Sequence, residues 1–222
     1  MVSMLSVMSG ISTVGQAVKP RLRGVLHQWA FFVSLVAGAA LVVIAPAGRA
    51  TFATAVYALT VAGLFGVSAI YHRVNWVSVT ARRWMRRLDH SMIFLLIAGT
   101  YTPFVLIALR GAWGWSLFGT VWVLATLGAL FELSRWRHAR GVRVALYIAI
   151  GWVGLVAIKP MVAALPVPGL WLLFGGGVSY TFGVLFYVRR SLRYHHAVWH
   201  MFVLGGSVLH YFAVLWYVLP KT

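Results

Sequence analysis

A chain of 222 residues, 62 % of them apolar and 9 % charged, cannot clothe a water-facing surface in polar groups, because soluble domains carry about 25 % charged residues. That excludes a soluble globular domain and implies an integral membrane protein. Nineteen Lys and Arg against two acidic residues give a net charge of +17, and the absence of cysteine excludes disulfide and thiolate chemistry.

Residues 1–18 have neither a charged n-region nor a clear cleavage site and read as a loose tail, not a signal peptide. The tail extends to residue 24, and residues 25–219 form one membrane domain. Crossing the hydrocarbon core takes roughly 20 apolar residues. The first such run, 25–45, follows KPRLRG. The second, 52–72, ends in SAIYHR, which sets His72 at its exit and Ser68 one turn earlier. The third, 88–109, opens on LDHS with Asp89 and His90. It carries Thr100, Thr102 and Pro103, which predict a kink whose freed carbonyls are taken by the hydroxyls. The fourth, 113–133, closes on Glu132, expected in an interfacial ion pair with Arg135 and Arg137. The fifth, 144–158, reaches about residue 164 if Pro160 kinks it. The sixth, 169–188, holds Gly175 to Gly177. The seventh, 196–218, opens on HAVWH and holds Gly205 and Gly206. These glycines let the last two helices approach closely. The connections are short, and the fold class is an all-α seven-transmembrane helix bundle.

Fifteen of the nineteen basic residues fall in the N-terminal segment and in the links after spans two, four and six. The positive-inside rule then predicts a cytoplasmic N-terminus and an outside C-terminus. Topology and anionic lipid headgroups account for this charge, and no soluble module exists to bind nucleic acid. The same topology brings His72, Asp89, His196 and His200 to one membrane depth. Histidines at i and i+4 project from one helix face. That pair suits one metal, and His72 would complete a three-imidazole set with a fourth position open to water, an arrangement suited to zinc. No glutamate lies between His196 and His200, so the HExxH resemblance is partial. With two carboxylates in the chain, Asp89 is the candidate base. The alternative is a pair of interfacial histidines bonded to headgroups and water.

SAIYH, LDHSMIFLLIAGTYTPF, GGGVSYTFGVLFY and HAVWHMFVLGGSVLHYF together resemble the hemolysin III family, the bacterial branch of the progestin and adipoQ receptor superfamily, from about Val25 to Leu219. The resemblance implies zinc near the cytoplasmic face of a multi-pass protein of the bacterial cell membrane. It implies His72, His196 and His200 as ligands, Asp89 reaching the metal through water, and Ser68 beside the site. Many members carry an acidic, asparagine-containing motif before the first helix. Here that stretch is KPRLRGVLHQWAFF, without an acid. His27 is then either a substitute polar partner or, on the simpler reading, an interfacial histidine without a role.

Among the other histidines, His90 is read as a helix-packing group, His195 as headgroup-facing and His138 as solvated. His210 lies roughly 21 Å beyond His196 along the helix, too far for the same metal. It is expected to bond to Tyr180 or Ser179, the alternative being a polar cavity that reaches it from the metal. Three functions follow: a zinc-dependent hydrolase of a lipid amide or ester, a regulator or receptor of membrane state with structural zinc, and, ranked last, a cytolysin. The expected partners are membrane lipids, one of them a substrate in the first case.

Overall fold

The computed structural model describes residues 24–109, 111–134, 140–189 and 191–219. Among them seven helices are long and apolar enough to span a membrane: α1 Val25–Ile44, α2 Arg49–Arg73, α3 Val79–Leu109, α4 Gly111–Leu133, α5 Arg140–Ala164, α6 Val167–Val188 and α7 His195–Val218. There is no strand among the described residues. The all-helical outcome follows from the solvent, since a backbone in hydrocarbon must satisfy its own N–H and C=O groups. The tail to residue 23, His138, Arg135 and Arg137 lie outside the described residues.

Local chemistry sets the helix ends. Ala45 precedes Pro46 and is extended, as that position requires, which stops α1. The Ser78 hydroxyl accepts from Ala81 N at 3.2 Å and caps α3. This helix starts nine residues before the apolar run expected at 88. Its 31 residues span about 46 Å at 1.5 Å each, well beyond a hydrocarbon core of about 30 Å. The overhang is VTARRWMRRL, whose arginines are costly to place in hydrocarbon, and Arg87 lies over the Trp84 ring at 4.9 Å.

Two helices depart from regular α geometry. Pro103 withdraws an N–H from α3, and the chain continues as a π segment over Phe104–Leu109. Thr102 Oγ1 donates to Ala98 O at 2.8 Å and accepts from Trp122 Nε1 at 3.1 Å. Thr100 does not share this task, for its Oγ1 has no hydrogen-bond partner. In α5 the break falls at Val153–Ala157, a 3-10 stretch, and not at Pro160 itself. Regular helix resumes at Ile158, so Pro160 sits in a first turn where its missing donor costs nothing. Tyr101 of α3 bridges the break: its hydroxyl donates to Gly151 O at 2.7 Å and accepts from Gly154 N at 2.9 Å.

Helix α3 is the central member of the bundle, with 67 % of its apolar window buried against 17 % for α5 and for α6. Phe94, Phe104 and Val105 of α3 are fully enclosed, whereas Val36, Val43, Leu59 and Trp171 face outwards. Outward apolar side chains match lipid, so burial of apolar surface does not drive helix against helix; close packing and polar contacts do. On α7, His210 Nε2 donates to Leu173 O of α6 at 3.0 Å. Gly176 lies beneath that ring, and a Cβ there would overlap it. Ser207 donates to Val203 O at 3.0 Å, so at 2.9 Å it accepts from Tyr180. His210 therefore does bond to α6, but to its main chain and not to Tyr180 or Ser179; Ser179 instead donates to Phe202 O at 2.8 Å.

Tyr101→Phe removes both bridging bonds and leaves the Gly151 carbonyl and the Gly154 N–H, in a lipid-facing helix without water, short of a partner. It should lower stability by about 1–3 kcal/mol, measured by thermal melting in detergent, while Val36→Ala on the outer face should change stability by less than about 0.5 kcal/mol.

Candidate metal centre

The exit of α2, the entry of α3 and the entry of α7 meet at one end of the bundle. His72, His196 and His200 each offer a ring nitrogen, and the three nitrogens lie within 4.8 Å of one another. His72 Nε2 and His196 Nε2 are 2.9 Å apart. A tetrahedral zinc with bonds of about 2.0–2.1 Å separates its nitrogen ligands by about 3.3 Å, so the His72–His196 pair would part by a few tenths of an ångström to take the ion. Three imidazoles with one open side match the donor set of such a site, and the residues fit the metal. Asp89 Oδ2 stands 3.9 Å from His72 Nε2, too long for a direct hydrogen bond and suited to a bridging water.

His72 and His200 are buried and His196 is half-buried. Ser68, one turn before His72, is buried and lies 2.8 Å from His27 Nδ1 through its Oγ. His27 itself is buried, with its ring stacked on His200 at 3.6 Å between centroids. These contacts are those of a polar partner, the first of the two readings of His27. The sequence places His27 at the entry of α1, the same end of the bundle as the triad, but does not name its neighbours.

Glu132 also has a partner from further along the chain. It is 5 % exposed, and Arg143 Nη1 of α5 donates to its Oε1 at 2.9 Å. His90 Nδ1 lies 3.2 Å from the same oxygen, and its Nε2 lies 3.4 Å from the Tyr187 hydroxyl. Tyr147 donates to His90 O at 3.1 Å. The pair is thus inside the bundle, tying α3, α4 and α5 together beside Asp89. Its partner among the described residues comes from the start of the next helix, eleven residues on, while the two nearer arginines lie outside the described residues. His195 is half-buried next to the triad residue His196.

A cavity of about 120 Å³ opens from this end of the bundle. Ser68, Asp89, His196 and His200 line one end, and His210 lines the other. Between them the walls are largely apolar, with Leu64, Ile97, Val184 and Val203. A second cavity of about 390 Å³ shares Tyr101, Trp152 and His210 with the first and continues among Leu155, Leu170 and Phe174. The ten residues from His200 to His210 cover about 15 Å of helix. A cavity does connect the triad to His210, but its character is apolar and not polar.

A family model described as Haemolysin-III related matches residues 15–211. The chain belongs to the haemolysin III family. It is 42 % identical over 187 residues to Hemolysin-3 of Bacillus cereus, covering 82 % of this chain and 84 % of that protein. It is 44 % identical over 130 residues to a Hemolysin-3 homolog of Bacillus subtilis (strain 168), covering 59 % and 61 %. The human protein named Monocyte to macrophage differentiation factor is 25 % identical over 167 residues, covering 73 % and 69 %. The haemolysin III match includes all five candidate site residues, Ser68, His72, Asp89, His196 and His200.

Glu132→Gln leaves Arg143 without its counter-charge inside the haemolysin III bundle. Since Arg143 retains some exposure, the cost should be about 3 kcal/mol, the lower end for a broken buried pair, measured by thermal melting with metal content followed in parallel.

Proposed function

We propose that the protein is a zinc-dependent hydrolase of a lipid amide or ester, working in a bacterial cell membrane with its histidine end towards the cytoplasm. The observation that carries this reading is the convergence of three imidazole nitrogens within 4.8 Å at the end of an apolar-walled cavity that also receives Asp89. When bound, zinc supplies a Lewis acid for a carbonyl oxygen and lowers the pKa of water.

The chain's own residues supply the rest. His72, His196 and His200 hold the ion from two helices. Asp89 takes the proton from the attacking water and returns it to the leaving amine or alcohol. With Glu132 engaged by Arg143 and His90, Asp89 is the carboxylate at hand for that role. Ser68 stands at the cavity wall beside His72 and offers a hydroxyl to the substrate's polar group. Leu64, Ile97, Val184 and Val203 line the way for an acyl chain and exclude bulk water, as a site for an apolar ligand with few polar anchors does.

One observation favours a second reading, a regulator of membrane state with structural zinc. The ligands come from α2 and α7, which are distant in the chain, so an ion there would pin one helix to the other.

Elemental mass spectrometry of detergent-purified protein should give one zinc per chain, lost in a His196→Ala/His200→Ala double variant. Metal-free protein after zinc is supplied would end the proposal. Asp89→Asn should keep the zinc and lower turnover of long-chain amides or esters in liposomes by about 10²–10⁴-fold. Zinc retained with every function intact in Asp89→Asn would select the structural reading.

A further inference from the structure

The first turn of α1 stands directly behind the triad. Gly24 has φ of 83°, a left-handed conformation that glycine adopts without strain. A Cβ added there would lie 2.5 Å from His72 Cβ, so this residue also permits the close approach of α1 to α2. His27 follows and is 3 % exposed. Its ring lies flat on that of His200, with centroids 3.6 Å apart and planes inclined by 8°. Its Nδ1 is 2.8 Å from Ser68 Oγ, and Phe65 meets its edge at 5.0 Å. One imidazole is therefore held on a face, at an atom and on an edge.

We propose that His27 is a positioning residue of the histidine triad, fixing the plane of His200 by stacking and anchoring that stack to α2 through Ser68. The proposal rests on the zinc reading above. Its physical basis is the softness of the imidazole torsion. The χ2 angle of histidine is broad and two-fold, and a metal site tolerates misorientation of only about 10–20°. Helix α7 fixes the Cα of His200 but not the plane of its ring. A flat neighbour at van der Waals distance leaves that ring one plane, and the bond to Ser68 stops the neighbour from turning. Because Ser68 shares a helix with His72, the same contact couples ligands on α2 and α7.

Three substitutions separate the parts. His27→Phe keeps the stack and loses the bond; His27→Asn keeps a side-chain polar group for Ser68 and loses the stack; His27→Ala loses both. Zinc affinity is measured by competition with a chromophoric chelator, and ligand geometry by the visible spectrum of the cobalt-substituted protein. Loss of an outer partner of a metal-binding histidine typically costs 10–100-fold in affinity. His27→Ala should weaken zinc by about that factor with altered cobalt bands, and the other two by less. Thermal melting accompanies each variant, and His27→Phe, which keeps the ring volume, carries the comparison if His27→Ala does not fold.

Unchanged affinity and cobalt bands in His27→Ala overturn the proposal. If the parent protein takes up neither metal, the zinc reading fails on its own. The stack is then read in metal-free protein by NMR, where the His200 ring protons must move when His27 is replaced by Ala; if they stay, the proposal falls as well.

Discussion

Inside a bilayer a polar group that loses its partner has no water to turn to, and that constraint runs through the whole molecule. It makes every span a helix, and it governs the places where a helix fails. At Pro103 the chain widens into a π segment beside a threonine that gives its hydroxyl back to the turn. At Val153–Ala157 a tyrosine from another helix closes the gap. The same rule gathers the few side chains that must be polar. His72, Asp89, His196, His200, His27 and Ser68 meet at one end, and Glu132 takes Arg143 and His90 for itself close by.

The two clusters differ in what they leave available. Glu132 and Arg143 neutralise each other with His90 close against the carboxylate, and the result is a fastening between α3, α4 and α5. In the triad three nitrogens of like kind face one another, an arrangement that gains most from a cation. Asp89 and His90 are adjacent in sequence yet serve the two clusters separately, because successive residues on a helix point about 100° apart.

Much of this was legible in the residues, since length and apolarity define spans in lipid more sharply than they define helices in water. All seven runs are helices. The errors are at ends and breaks. The polar overhang of α3 is helical because Ser78 caps it and nothing in VTARRWMRRL opposes a helix, while hydropathy registers only the buried part. The irregularity in α5 precedes Pro160 because a proline disturbs the turn before it. The triad could be argued from spacing and shared depth, with the family resemblance naming the metal. The two readings of His27 stayed open because a single histidine at a span entry says nothing about its neighbour; the stack on His200 depends on how α1 crosses α7, which no local pattern encodes. The Glu132 partner seen among the described residues, Arg143, belongs to the helix that packs against it, a pairing that closeness in sequence does not suggest.

The break in α5 has a mechanical consequence. Tyr101 closes that break and also lines both cavities, so the side chain that seals the helix is also one of those, with Trp152 and His210, at the junction of the chambers. Helices α2, α3 and α7 carry the triad and Asp89, and α3 is deeply enclosed, while α5 has most of its apolar window facing outwards. Segments with few buried contacts open at the lowest free energy. The bundle is therefore built as an enclosed frame around α3 with two lightly buried walls, α5 and α6, and Tyr101 ties the first of those walls to the frame where the two cavities meet.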